Sequence, residues 1–127
     1  MTFAQVRRLA LPAGLAALVT LAPAVAGAGA AKPRKPKPVT KKVKIFDNYY
    51  EPAKLTVPRG STIVWQWPIT TGDAHDVTLD KGPKGVRKFQ SQVAASDYTF
   101  KRKLTKKGRY HIICTLHEEM TMDITVR

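Results

Sequence analysis

The stretch Gly108-Arg-Tyr-His-Ile-Ile-Cys114-Thr-Leu-His117-Glu-Glu-Met120-Thr-Met122-Asp-Ile-Thr-Val126 decides how the rest of this chain is read. Tyr110, Ile112 and Cys114 share one parity, and Met122, Ile124 and Val126 form a second alternating run. Successive side chains of a strand point to opposite faces, so apolar residues at a period of two mark a half-buried strand. One strand is therefore expected to end at Cys114 and another to begin near Met122, with a loop between them. Working outward, the same pattern recurs. Val43 and Ile45 flank Lys44, Leu55 and Val57 flank Thr56, and Val77 and Leu79 flank Thr78. Tyr98 and Phe100 flank Thr99, and residues 62–67 are rich in β-branched and aromatic types. Pro58-Arg-Gly60 supplies a turn. No segment after the amino-terminal region has a helical period. The body predicts an all-β domain of about seven or eight short strands, an antiparallel sandwich or barrel. Hydrophobic residues make up 43% of the chain, enough to fill one such core, and a bound metal would add stability.

The central stretch also carries donor atoms. Cys114, His117 and Met120 place a thiolate, an imidazole and a thioether within seven residues. A loop between two strands can fold back so that all three point at one spot. Upstream, His75 opens another apparent strand after the loop 68–74 and offers a second imidazole. Two imidazoles and a thiolate with a weak axial methionine match the ligand set of an electron-transfer copper site. The soft sulfur donors favour Cu(I), whereas imidazole accepts Cu(II) as well. Each residue also has a plainer reading. Cys114 alone could be a buried thiol, but its spacing from His117 and Met120 favours a ligand. His75 stands near Asp73 and Asp76 and could simply be solvated. Met122 competes with Met120 as the axial group, although its parity with Ile124 and Val126 already explains it as core. His111 lies one step off the Tyr110/Ile112/Cys114 face and reads as outward. Trp65 and Trp67 share a face and read as packing, and Lys101–Lys107 as a solvated strand and turn.

This arrangement resembles the cupredoxins, the plastocyanin/azurin family of small copper proteins, over residues 43–127. The features occur in order: Asp47-Asn48 with Tyr50, Glu51 and Pro52; Leu55-Thr-Val57-Pro-Arg-Gly60-Ser-Thr-Ile-Val-Trp65; His75; Tyr98-Thr-Phe100; Gly108-Arg-Tyr110-His-Ile-Ile-Cys114; and the Cys-x₂-His-x₂-Met loop. The loop is similar to the short amicyanin type. The resemblance implies a Greek-key β-sandwich or barrel and one copper ion held by His75, Cys114, His117 and Met120. It implies single-electron transfer by Cu(II)/Cu(I) cycling with redox partner proteins outside the cytoplasm. There are two departures. Where the family usually has Asn after the first histidine, this chain has Asp76, whose carboxylate can still brace Thr115 and would favour Cu(II). The surround of the exposed ligand histidine, often apolar in the family, here combines Leu116 and Ile69 with Glu118 and Glu119.

Residues 1–26 read as a signal peptide. Arg7 and Arg8 precede an apolar run from Leu9 to Leu21, and Ala24-Val-Ala26 supplies a small-x-small cleavage pattern before Gly27. Ala28-Gly-Ala30 is a second such pattern. The apolar run is shorter than a membrane span requires. Residues 27–42 read as a basic linker, in which Lys32-Pro-Arg-Lys-Pro-Lys-Pro38 favours an extended, polyproline-like tether. The chain has 22 Lys and Arg against 9 Asp and Glu, a formal charge of +13, and loss of Arg7 and Arg8 leaves it strongly basic. Contact of the linker with an anionic envelope is one consequence. No nucleic-acid recognition module is visible, and nucleic acid is not an expected partner. The expected form is an exported monomer, periplasmic or associated with the cell envelope.

One cysteine excludes an internal disulfide. Three histidines, two of them assigned, leave little for the second copper centre or open position that a copper enzyme needs, so the protein is not expected to be an enzyme. The remaining alternative to electron transfer is copper capture, storage or delivery in the envelope through the same four side chains.

Overall fold

Among the described residues there are eight strands, seven of them over segments whose alternation predicts strands and one, Tyr49–Glu51, that no alternation marks. They are β1 (Thr40–Phe46), β2 (Tyr49–Glu51), β3 (Lys54–Val57), β4 (Thr62–Trp67), β5 (Thr78–Lys81), β6 (Tyr98–Lys103), β7 (Gly108–Cys114) and β8 (His117–Val126). The structure is a computed structural model that describes residue 29, residues 32–69 and residues 72–127. The signal peptide expected at residues 1–26 lies outside the described residues. β1 opens at Thr40, ahead of the Val43 where alternation becomes readable, because Lys41 and Lys42 are exposed ladder residues.

Two four-stranded sheets have the orders β2-β1-β4-β6 and β3-β8-β7-β5. They pack as an all-β sandwich around one core. Neighbours are antiparallel except β1 with β4 and β3 with β8, which are parallel. The sheets are thus mixed rather than purely antiparallel. The chain turns back at β2, joins the second sheet at β3, and returns at β4 beside β1 in the same direction. Alternation reports which face is buried, not the direction of the neighbouring strand.

The inward faces meet around Trp65, which is fully buried. Its ring lies 5.9 Å from Phe100 and 6.3 Å from Phe89. Its indole N–H donates to Met122 Sδ at 3.3 Å, linking the first sheet to β8 of the second. Trp67 packs on Tyr98 with ring centroids 4.8 Å apart. Both tryptophans are packing residues, as their shared parity suggests.

The joint between β7 and β8 is tighter than the loop expected between Cys114 and Met122. β8 begins at His117, so only Thr115 and Leu116 separate the strands. Ile113 pairs with Thr121, but Cys114 pairs with His117 rather than with Met120. This shift places three extra β8 residues opposite one ladder step, the local irregularity of a bulge. It brings His117 directly across from Cys114. Met120 falls within β8 on the same inward parity as Met122, and both are buried.

Farther along the same hairpin, Asp123 accepts two hydrogen bonds from Arg109, at 2.6 and 3.0 Å, and lies 3.0 Å from His111 Nδ1. The Arg109 and His111 bonds hold the Asp123 carboxyl down at about 2. A carboxylate lowered in the folded state stabilises the fold above its unfolded pKa, near 4, and that contribution is lost as pH falls through the folded value. Urea midpoints should therefore drop between about pH 4 and pH 2, by on the order of 1 kcal/mol from this residue after solvent screening. An Asp123→Asn variant that keeps the same acid-side slope would remove this residue as the cause.

Candidate metal centre

The end of β7, the two-residue turn and the start of β8 carry Cys114 and His117. The third member arrives from a different part of the chain. His75 forms an isolated bridge with Ala94, in which each N–H donates to the other's carbonyl at 3.0 Å. The Trp67 indole N–H also donates to the His75 carbonyl, at 3.3 Å. These bonds hold a side chain that is completely buried.

His75 Nδ1 lies 3.1 Å from His117 Nδ1 and 4.0 Å from Cys114 Sγ, and Cys114 Sγ lies 3.6 Å from His117 Nδ1. A triangle with these sides has its centre about 2.1 Å from every corner, close to the bonds that a first-row metal makes to imidazole nitrogen and thiolate sulfur. Three lone-pair donors facing inward at such separations need protons or a cation among them. Their identities, two imidazoles and one thiolate, suit copper in both oxidation states. The site is buried on the His75 and Cys114 sides and partly open at His117. Burial pushes the Cys114 thiol above its ordinary pKa.

Around these three residues lies a layer of orienting contacts. The Asp76 backbone N–H donates to Cys114 Sγ at 3.5 Å. The fully buried Asp76 side chain accepts from the Thr115 N–H through Oδ1 and from the Thr115 hydroxyl through Oδ2, both at 2.7 Å. Oδ2 also accepts from Gln90 Nε2 at 2.7 Å and from the Thr78 hydroxyl at 3.2 Å. Burial raises the pKa of this carboxyl, but the hydrogen bonds from Thr115 and Gln90 outweigh it, so the net shift is downward. The brace to Thr115 therefore survives the replacement of Asn by Asp. Tyr50 donates its hydroxyl to the Asp76 carbonyl at 2.6 Å. Burial, then the Cys114 and Asp76 charges, push the Tyr50 hydroxyl well above its ordinary range.

His75 Nε2, the nitrogen facing away from the cluster, lies 3.4 Å from Asp47 Oδ1. A carboxylate there fixes the ring's orientation, as outer partners do for metal-binding histidines. Asp47 Oδ1 also accepts from the Asp73 N–H at 2.9 Å. That bond first, and the contact with His75 next, lower its carboxyl pKa. Gly72 has φ +91°, and a Cβ there would collide with the Asp47 carboxylate. This position thus requires glycine on both conformational and steric grounds.

Of the residues picked out by spacing, His75, Cys114 and His117 converge. Met120 is buried on β8, three residues beyond His117. Parity does not separate it from Met122, but the Trp65 hydrogen bond to Met122 Sδ does. His111 is paired with Asp123 and stands apart from the cluster. Asp47, Gln90, Thr78 and Tyr50 were not predicted as site residues. No local spacing marks them, because each reaches the centre across the fold.

Two packed sheets with a buried His-Cys-His cluster at the ends of their strands define a small single-copper β-sandwich protein. The sequence pattern of the copper binding proteins, plastocyanin/azurin family, matches residues 38–127, and the chain belongs to that family. Its cofactor is one copper ion. Among solved structures, the chain is similar to the reduced Cu(I) form of the P52G mutant of amicyanin. The identity is 24%, the TM-score 0.59, and the match covers 68% of this chain and 80% of that one. A pseudoazurin from Sinorhizobium meliltoi matches at 22% identity and TM-score 0.57, covering 70% and 74% of the two chains. A copper-containing nitrite reductase from Thermus scotoductus SA-01 matches at 28% identity and TM-score 0.56, covering 79% of this chain but only 24% of the enzyme. No curated protein sequence gives a significant match.

Removing the Asp76 carboxylate leaves several buried donors without an acceptor, each costing about 1–3 kcal/mol. Asp76→Ala should lower the unfolding free energy of the metal-free protein by about 3 kcal/mol. A loss under about 1 kcal/mol in urea titration would mean that the turn does not depend on this brace.

Proposed function

We propose that the protein is an exported carrier of single electrons whose copper is held by His75 Nδ1, Cys114 Sγ, His117 Nδ1 and the thioether of Met120. The convergence of three donors from two separate chain segments, with a common centre at bonding distance, carries this reading. Copper held there supplies a Cu(II)/Cu(I) couple. The residues supply fixed geometry. Backbone bonds at Ala94 hold His75, the Asp76 brace holds the Cys114–His117 turn, and the sheets exclude water from all but the His117 side. A site that changes little between two charge states lowers the reorganisation needed for electron exchange. His117, the partly exposed ligand, is the route to a redox partner outside the cytoplasm.

The preformed and largely buried donor set favours a carrier over a protein that captures copper and gives it up. The pairing of His111 with Asp123 supports a carrier rather than an enzyme, since it leaves no third imidazole beside the cluster. The apparent signal at residues 1–26 and the basic tether support export and envelope association.

Addition of Cu(II) should produce an intense thiolate-to-copper band in the visible spectrum. Cys114→Ser should abolish it, and Met120→Leu should shift it. Met122→Leu should leave it in place while weakening the fold through the lost Trp65 contact. A band that survives Cys114→Ser defeats the assignment, and one that shifts only with Met122→Leu reassigns the thioether. Asp76→Asn removes a charge next to the site but keeps an oxygen acceptor for the Thr115 N–H. It should raise the reduction potential by on the order of tens of millivolts in voltammetry. An unchanged or lower potential would show that the Asp76 charge does not bear on the couple.

A further inference from the structure

The charges of the domain are divided along the strand axis. Asp47, Asp73, Asp97, Glu118 and Glu119 lie in the loops and strand ends around the copper site. The cations gather at the other end, where β6 finishes, β7 starts and the segment after β5 crosses them. There a cleft of about 220 Å³ is lined by Arg87, Lys88, Arg102, Lys103 and Lys106, with no carboxylate in its wall. All five are exposed, and none makes an ion pair among the described residues. Five like charges around one cleft repel one another, so the folded state gains from an anion placed among them.

The cleft is also organised. The Arg102 guanidinium lies 5.2 Å from the Phe89 ring centroid and 5.3 Å from that of Phe100. Stacking on two rings restrains the fork in advance and reduces the ordering cost of binding. Lys106 Nζ reaches across to the Lys84 carbonyl at 3.4 Å, and its own carbonyl accepts the Tyr110 hydroxyl at 2.8 Å. Guanidinium forks and ammonium point charges together suit the oxygens of phosphate groups. The cleft is smaller than the ~300–1,000 Å³ of pockets for drug-sized ligands, so it fits a short phosphate segment.

We propose that this cleft is a binding site for phosphate-type oxyanions, presented either by a polyphosphate chain or by a small free oligophosphate. A polyanion held there leaves the copper end facing away, because the acidic loops repel it from that end. Tyr110, in the cleft wall, precedes Cys114 on β7 by roughly 13 Å at ~3.3 Å per residue. That distance keeps a bound anion out of contact with the copper site.

The test uses the full exported chain at physiological ionic strength, with long-chain polyphosphate, tripolyphosphate and orthophosphate as probes in calorimetry. Two cleft variants, Lys88→Gln with Lys106→Gln and, separately, Arg102→Gln, are compared with a tether variant, Lys35→Gln with Lys37→Gln. The cleft pair should weaken polyphosphate binding about tenfold and reduce the salt dependence of log K by about 0.7 per cation removed, whereas the tether pair should change affinity less than about threefold. The copper band should be unchanged in all variants. Binding confined to the long chain supports the site and assigns it to a polymer. Equally tight tripolyphosphate binding, lost in the cleft variants, supports the site and assigns it to a free anion. Equal losses in cleft and tether variants, or no binding by the parent chain, overturn the proposal. So does tighter binding of single-stranded DNA than of polyphosphate.

Discussion

A buried carboxylate joins the two segments on which the copper site depends. Asp76 follows His75 in the chain and bonds across the fold to Thr115, the residue after Cys114. The Asp76 N–H to Cys114 Sγ and the pairing of β5 with β7 also join these segments, but only the Asp76 side chain reaches the turn beyond Cys114. The oxygens of Asp76 are satisfied by Thr115, Gln90 and Thr78, so the charge is tolerated although the residue has no exposure. A half-satisfied version of this network would be worse than an apolar contact. Gln90 comes from the segment that also hydrogen-bonds to β5, which ties the brace to the edge of the second sheet.

The core serves the same joint from below. Trp65 spans the sandwich from β4 to Met122 on β8, and Trp67 reaches the His75 carbonyl. One tryptophan thus fixes the strand that carries His117, and the other fixes the backbone that carries His75. This stiffness would suit the proposed electron transfer, because donor atoms that cannot relax separately keep one compromise geometry. The partly open His117 side is where the surface stops being rigidly enclosed. The exposed side chains of Ile69 and Leu116 and the acids beside His117 lie at this end of the domain, while the cations lie mostly at the other. The strongly positive formal charge of the chain is therefore a poor guide to the surface a redox partner would meet.

Much of the site could be read before any fold was known. The Cys114–His117–Met120 spacing brings three soft or borderline donors into one short segment, and few structural needs would place them together. His75 could be proposed as the fourth because it begins an alternating segment after a loop. The orienting residues were illegible because their sequence separations from the ligands are long and their types are ordinary. Asp47 meets His75 from 28 positions away, and Gln90 meets Asp76 from 14. The length of the ligand loop was overread for a related reason. Alternation breaks at the bulge between Ile113 and Cys114, so the start of β8 is hidden until Met122.

By itself, the sequence determined the all-β class, the inward parity of nearly every strand and the donor types that meet in the His75–Cys114–His117 cluster. Each follows from local rules: the two-residue repeat of an extended backbone and the intrinsic affinity of thiolate and imidazole for copper. Tertiary structure alone decided that β1 runs parallel to β4 and β3 to β8, that Trp65 engages the sulfur of Met122, and that Gln90 and Thr78 complete the shell of Asp76. Those outcomes depend on which segments become neighbours when apolar faces are buried together. That choice is made by the whole core at once, and no short stretch of chain records it.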